Sequence, residues 1–157
     1  MTKKSEKLSV IITVIFGVVF LAALFSLTLW LPTIVNSLID IKDELGNEIQ
    51  ITELGRLLVL ADAYVIVVLA VVTVVFLFKL LAVVYKRKVF SKKAARLISA
   101  VSWCCFGEGL LFAFLLVYFQ FSICVVAAVC FLGFALRIVK HVIEEATLIK
   151  EENDFTI

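Results

Sequence analysis

Four long apolar stretches alternate with short polar ones along this chain, and the alternation predicts its elements. The apolar stretches run over residues 8–31, 57–78, 97–117 and 121–139. Each is close to the roughly 20 residues that an α-helix needs to cross the hydrocarbon core of a bilayer. They are uninterrupted runs, unlike the mixed patterns of a water-soluble domain. The expected fold is an all-α membrane protein of four transmembrane helices. It forms a single domain over residues 1–157, with a short extracytoplasmic loop between helices 1 and 2 and a charged tail at 144–157.

The polar stretches give that frame an orientation. Lys86, Arg87, Lys88, Lys92, Lys93 and Arg96 crowd between spans two and three, and Lys3, Lys4 and Lys7 precede span one. Basic residues beside a spanning helix are retained on the cytoplasmic side. With four spans this places both termini in the cytoplasm and leaves only Lys42 and Arg56, of 15 Lys and Arg, outside. A charged start followed by an apolar run also opens a secretory signal, but Leu8 to Leu31 exceeds the usual core of about 7–15 residues and no small-residue cleavage site follows. The first helix is therefore expected to stay in the membrane.

Boundaries follow from single residues. Trp30 marks an outer interface and Pro32, which lacks an N–H, is expected to end the first span. Thr33 to Gly55 carries Asp40, Asp43, Glu44, Glu48 and Glu53. Its alternation at Ile39-Asp40-Ile41 and Glu48-Ile49-Gln50-Ile51, around Gly46-Asn47, suits a two-stranded turn, and a pair of short amphipathic helical turns fits nearly as well. Lys79 closes the second span by reaching to the inner interface. Ser91 is a natural N-cap for the third helix. Tyr118-Phe119-Gln120-Phe121-Ser122 makes a tight outer corner rich in interfacial aromatics, so spans three and four form an antiparallel hairpin. Arg137, Lys140 and His141 mark the inner end of span four.

Composition adds little beyond the class: 64% of residues are hydrophobic and the mean hydropathy is +1.16, while the net charge of +2 is uninformative. The basic loop serves as topology signal and headgroup contact, and direct nucleic-acid binding is not expected. Cys104, Cys105, Cys124 and Cys130 all fall inside apolar segments without a CxxC, so they are expected to pack as free thiols. No cofactor or metal site is predicted, and no catalytic motif is present.

Two acids stand in the apolar runs, and acids there usually face a bundle interior and mark function. Glu108 falls near the bilayer midplane, between Gly107 and Gly109, whose missing side chains allow another helix to approach. Asp62 falls nearer the outside, at a depth expected to differ from that of Glu108 by about 6 Å. With Tyr64 between them, a polar file Asp62, Tyr64, Glu108 is a candidate proton or cation path; its competitor is a structural hydrogen bond joining helices two and three. His141 is expected to stabilise a helix end. The acidic end with its apolar tip, Glu151, Glu152, Asp154, Phe155 and Ile157, suits docking onto a basic partner, including the chain's own basic loop. The small residues Gly17, Ala22, Ala23, Gly107, Gly109 and Gly133 are compatible with a homodimer of four-helix bundles.

The basic inner loop with Val89-Phe90-Ser91, the following Ala94 to Leu97 and the terminal Glu152 to Ile157 resemble the bacterial YoaS-like membrane proteins, grouped as domain of unknown function DUF2975. Phe155 stands where that family more often has Leu, and Val89 where Asn-Pro or Pro is common. The resemblance implies a bacterial plasma-membrane protein, of a family with no established enzymatic activity, often encoded beside a small helix-turn-helix transcription regulator. On this basis the leading expectation is a partner-binding module. The alternatives are a proton- or cation-linked transport or sensing protein using Asp62 and Glu108, and an immunity protein against a membrane-active peptide.

Overall fold

The computed structural model describes residues 3–44, 52–85 and 91–155, with side chains at 11–40, 52–85, 91–150 and 152. These residues form four helices: α1 (Lys3–Glu44), α2 (Glu53–Tyr85), α3 (Lys92–Leu115) and α4 (Ser122–Phe155). All four are long and apolar enough to cross a membrane.

Close approach of the helices follows chain order: α3 lies along α4, α2 along α3 and α1 along α2, and among the described residues no other pair comes near. The helices therefore form an open row. α1 and α4 are its edges. Small residues set the spacing within the row. A Cβ at Gly17 would stand 2.5 Å from the Phe78 ring, one at Gly109 would stand 2.9 Å from Cys130 Sγ, and one at Gly133 would stand 3.1 Å from the Phe106 ring.

Two clusters pin the ends. At one end Leu31, Val35 and Ile39 of α1 bury against Val59 of α2, with Leu115, Tyr118 and Phe119 from the α3–α4 corner packed on them. At the other end Ala95 and Ile98 of α3 meet Ile143 of α4, with Leu80 of α2 and Leu136 alongside.

The first cluster explains a departure from the sequence reading. Pro32 does not end α1: the helix passes through it and continues to Glu44, so Ile39-Asp40-Ile41 is helical and the two-stranded turn does not form there. An internal proline costs about 3 kcal/mol. Leu31, Val35 and Ile39 repeat every fourth residue, so they line one side of the helix, and burying each contributes about 1.5–3 kcal/mol. The burial exceeds the proline penalty. Residues 45–51, which hold the rest of the expected turn, lie outside the described residues.

Across the same end Arg56 of α2 donates from Nη2 to Asp40 Oδ1 at 3.2 Å and from Nη1 to Asn36 Oδ1 at 3.4 Å. The ion pair is solvent-exposed and contributes at most about 1 kcal/mol. At the opposite end Ser91 caps α3 as anticipated, its hydroxyl accepting from the Ala94 N–H at 3.3 Å.

α4 does not stop at the last apolar residue. It runs unbroken through Lys140 and His141 to Phe155, which makes the charged tail helical. His141 thus sits within a helix and not at its end, and its Nδ1 lies 3.7 Å from Glu144 Oε2, while Lys140 Nζ reaches Glu144 Oε1 at 3.3 Å.

Candidate functional site

Glu108 lies in the second half of α3, flanked by the two glycines that admit its neighbours. A Cβ on Gly107 would meet Leu69 of α2 at 3.1 Å, and Cys130 of α4 closes on Gly109. Close approach on both sides brings the carboxyl onto α2, where Thr73 Oγ1 lies 3.1 Å from Glu108 Oε1. The same hydroxyl lies 2.9 Å from the Leu69 carbonyl one turn earlier.

Thr73 has one hydroxyl proton and faces two acceptors. Given to Glu108, it leaves the second contact without a proton; given to the Leu69 carbonyl, it leaves Oγ1 free to accept. The hydroxyl thus stands between the carboxyl of α3 and the backbone of α2, donating to one or the other. It joins two helices without a cation, and no Lys or Arg of the described residues pairs with Glu108.

The structure separates the three members of the proposed polar file. Thr73 is eleven residues beyond Asp62 on α2, so Asp62 lies about 16 Å along the axis from the level of Glu108, not about 6 Å. It stands beside Ala63, which packs, as Leu115 and Phe119 do, on the cluster of Leu31, Val35, Ile39 and Val59. Its Oδ2 is buried and has no hydrogen-bond partner among the described residues. Tyr64 follows Asp62 by two positions, about 200° around the helix at 100° per residue. It is 37% exposed and belongs to a different face. Asp62 and Thr73 share a side of α2; Tyr64 does not.

The sequence did not name the contact of Glu108 with Thr73. Thr73 is a lone hydroxyl in a valine-rich run, and only the α2–α3 register shows that it meets the acid. The displacement of Tyr64 was available from the 100° step alone.

A second interhelical polar contact joins α3 to α4. Ser102, fully buried, donates to the Gly133 carbonyl at 2.9 Å. Beside it the Arg137 guanidinium lies 4.7 Å from the centre of the Trp103 ring.

The residues suited to partner binding divide by position. Lys92, Lys93 and Arg96 are exposed on the first turns of α3, and Glu152 is exposed on α4. Glu151, Asp154 and Phe155 belong to the last turns of α4. Lys86, Arg87, Lys88 and Ile157 lie outside the described residues. Among the described residues no three His, Cys, Asp or Glu side chains converge as they would around a metal ion.

Comparison with family models, with curated proteins and with solved structures yields no match.

Proposed function

We propose that the chain is a non-enzymatic, multi-span protein of the bacterial plasma membrane, with both termini and the 86–96 loop in the cytoplasm. It presents the basic start of α3 and the acidic end of α4 to a cytoplasmic protein. A small transcription regulator is the partner class implied by the resemblance to the DUF2975 proteins.

The observation that carries this reading is the unbroken passage of α4 to Phe155. Ile143 packs on Ala95 near the start of α3, and Thr147 is still buried. From Thr147 to Phe155 the helix continues for about 12 Å. Leu148 and Ile149 are 55% and 60% exposed there, with Glu152 on the following turn. A rod that carries apolar and acidic side chains suits a groove with a basic rim.

The test is retention of the regulator encoded beside the gene on the intact, detergent-solubilised protein, and its loss when Glu151 to Ile157 are deleted. Binding that survives the deletion moves the contact to the 86–96 loop. No binding to the intact protein removes the proposal.

A second reading rests on the pairing of Glu108 with Thr73 within the span, which suits a site that binds and releases a proton. It predicts that Glu108→Gln abolishes a pH response or flux in vesicles while expression is unchanged. The distance to Asp62 and the tight packing around Gly107 and Gly109 favour the first reading.

A further inference from the structure

The position of Arg137 poses a problem in hydrogen bonding that the rest of the chain does not solve. The guanidinium has five N–H donors, all in its plane. The Trp103 ring, its centre 4.7 Å from the guanidinium carbon, attracts the charge but offers no lone pair to the N–H donors. Among the described residues Arg137 has no ion pair and no hydrogen bond from its side chain.

The nearby acids are engaged elsewhere. Glu144, two turns further along α4, is held by Lys140 and His141. Glu108, five residues beyond Trp103 on α3, is turned to Thr73 of α2. A cation among apolar side chains without an acceptor is costly, so an anion from outside the chain is the natural complement.

The surroundings specify that anion. Trp103 is 63% exposed and is braced edge-on by Phe106 at 6.2 Å, which in turn meets Phe134 at 5.1 Å. Its indole N–H donates to no described residue. Arg96 precedes Trp103 by seven residues, which returns it to the same side of α3, about 10 Å nearer the polar end. It is exposed and has no ion pair among the described residues. In the other direction Leu110, seven residues past Trp103, continues that side and is 74% exposed. A polar head between two guanidinium groups and an apolar chain running along Trp103 and Leu110 is the layout of a phospholipid.

We propose that Arg137, Trp103 and Arg96 form a binding site for the phosphate of an anionic phospholipid on the face where Arg137 of α4 meets Trp103 of α3. The planar guanidinium matches two phosphate oxygens at once, the indole N–H supplies a third donor, and Arg96 adds charge at headgroup level. Basic pockets between membrane helices bind acidic headgroups in this way. The site does not depend on what the end of α4 binds.

The test uses the full chain in detergent micelles with Trp30→Phe, which leaves Trp103 as the sole indole of the two tryptophans. Its fluorescence is quenched by phosphatidylglycerol or phosphatidylcholine with brominated acyl chains. Half-quenching is expected at about tenfold less phosphatidylglycerol than phosphatidylcholine, because the choline cation of the latter offsets the attraction of the two guanidinium groups that a net anionic headgroup keeps. Arg137→Gln and Arg96→Gln each reduce that preference. Lys79→Gln, which alters an exposed lysine on α2 at the same end, leaves it intact. Excess inorganic phosphate does not compete.

Equal quenching by both lipids overturns the proposal, as does an equal loss of preference in Lys79→Gln, which signals surface charge alone. Displacement by inorganic phosphate overturns the assignment to a lipid. Arg96 is on the surface, so its variant reports on the site even where Arg137→Gln does not fold.

Discussion

The pairing of Thr73 with Glu108 makes an asymmetric prediction. Thr73→Val removes the only side chain among the described residues that satisfies the carboxyl and leaves an acid unpartnered within an apolar helix. An interhelical hydrogen bond in a membrane contributes about 0.6 kcal/mol, and up to about 1.7. An unsatisfied buried group adds about 1–3 kcal/mol. Thr73→Val is therefore expected to destabilise the fold by about 2–4 kcal/mol. Glu108→Leu keeps a similar volume and strands nothing, because Thr73 still donates to the Leu69 carbonyl at 2.9 Å. That variant is expected to fall within about 1 kcal/mol of the parent or to exceed it. In the double variant Thr73→Val no longer has a carboxyl to strand, so its cost largely disappears. Reversible unfolding in mixed micelles, followed by helical circular dichroism, measures all four proteins. Equal costs for the two single changes, with a double variant equal to their sum, would refute the pairing.

The remaining predictions concern the other contacts of the row. Ser102→Ala loses the bond to the Gly133 carbonyl and is expected to cost about 1 kcal/mol in the same unfolding measurement. Gly109→Ala brings a methyl to 2.9 Å from Cys130 Sγ and should loosen α3 from α4, by about 1–3 kcal/mol before the better helix propensity of alanine offsets part of it; Cys130→Ala in that background should restore stability. Arg56→Gln is expected to cost less than about 1 kcal/mol, with the difference vanishing at high salt. A reporter enzyme fused after Lys88 is expected to be active only in its cytoplasmic form, and activity outside the cell would invert the proposed orientation.

The parts of this fold that were legible in the sequence are those written in runs. Long apolar stretches announce spanning helices whatever they pack against, and Ser91 before Lys92 announces a helix start because a cap is a local device. Contacts between helices are not local. Thr73 carries no mark that distinguishes it from any other hydroxyl in an apolar helix, and its meeting with Glu108 depends on how far α2 slides along α3. Pro32 misleads for the same reason: its penalty is visible in the chain, but the burial of Leu31, Val35 and Ile39 that outweighs it belongs to the tertiary structure. The helical end of α4 lies between these cases. Lys140 and Glu144, four apart, give local support, whereas the burial of Thr147 that prolongs the helix is tertiary. For the candidate site the chemistry of Glu108 could be read in advance, and its partners could not.

The shortest helix of the row is also one of the two with a neighbour on each side. α3, at 24 residues, spans about 36 Å, against about 63 Å for the 42 residues of α1 and about 51 Å for the 34 of α4. Its neighbours have length to spare for a thicker bilayer, but α3, held between α2 and α4, has the shortest reach. The thickness of lipid that this protein tolerates is set by its shortest helix, and acyl-chain length should move its stability through α3 first.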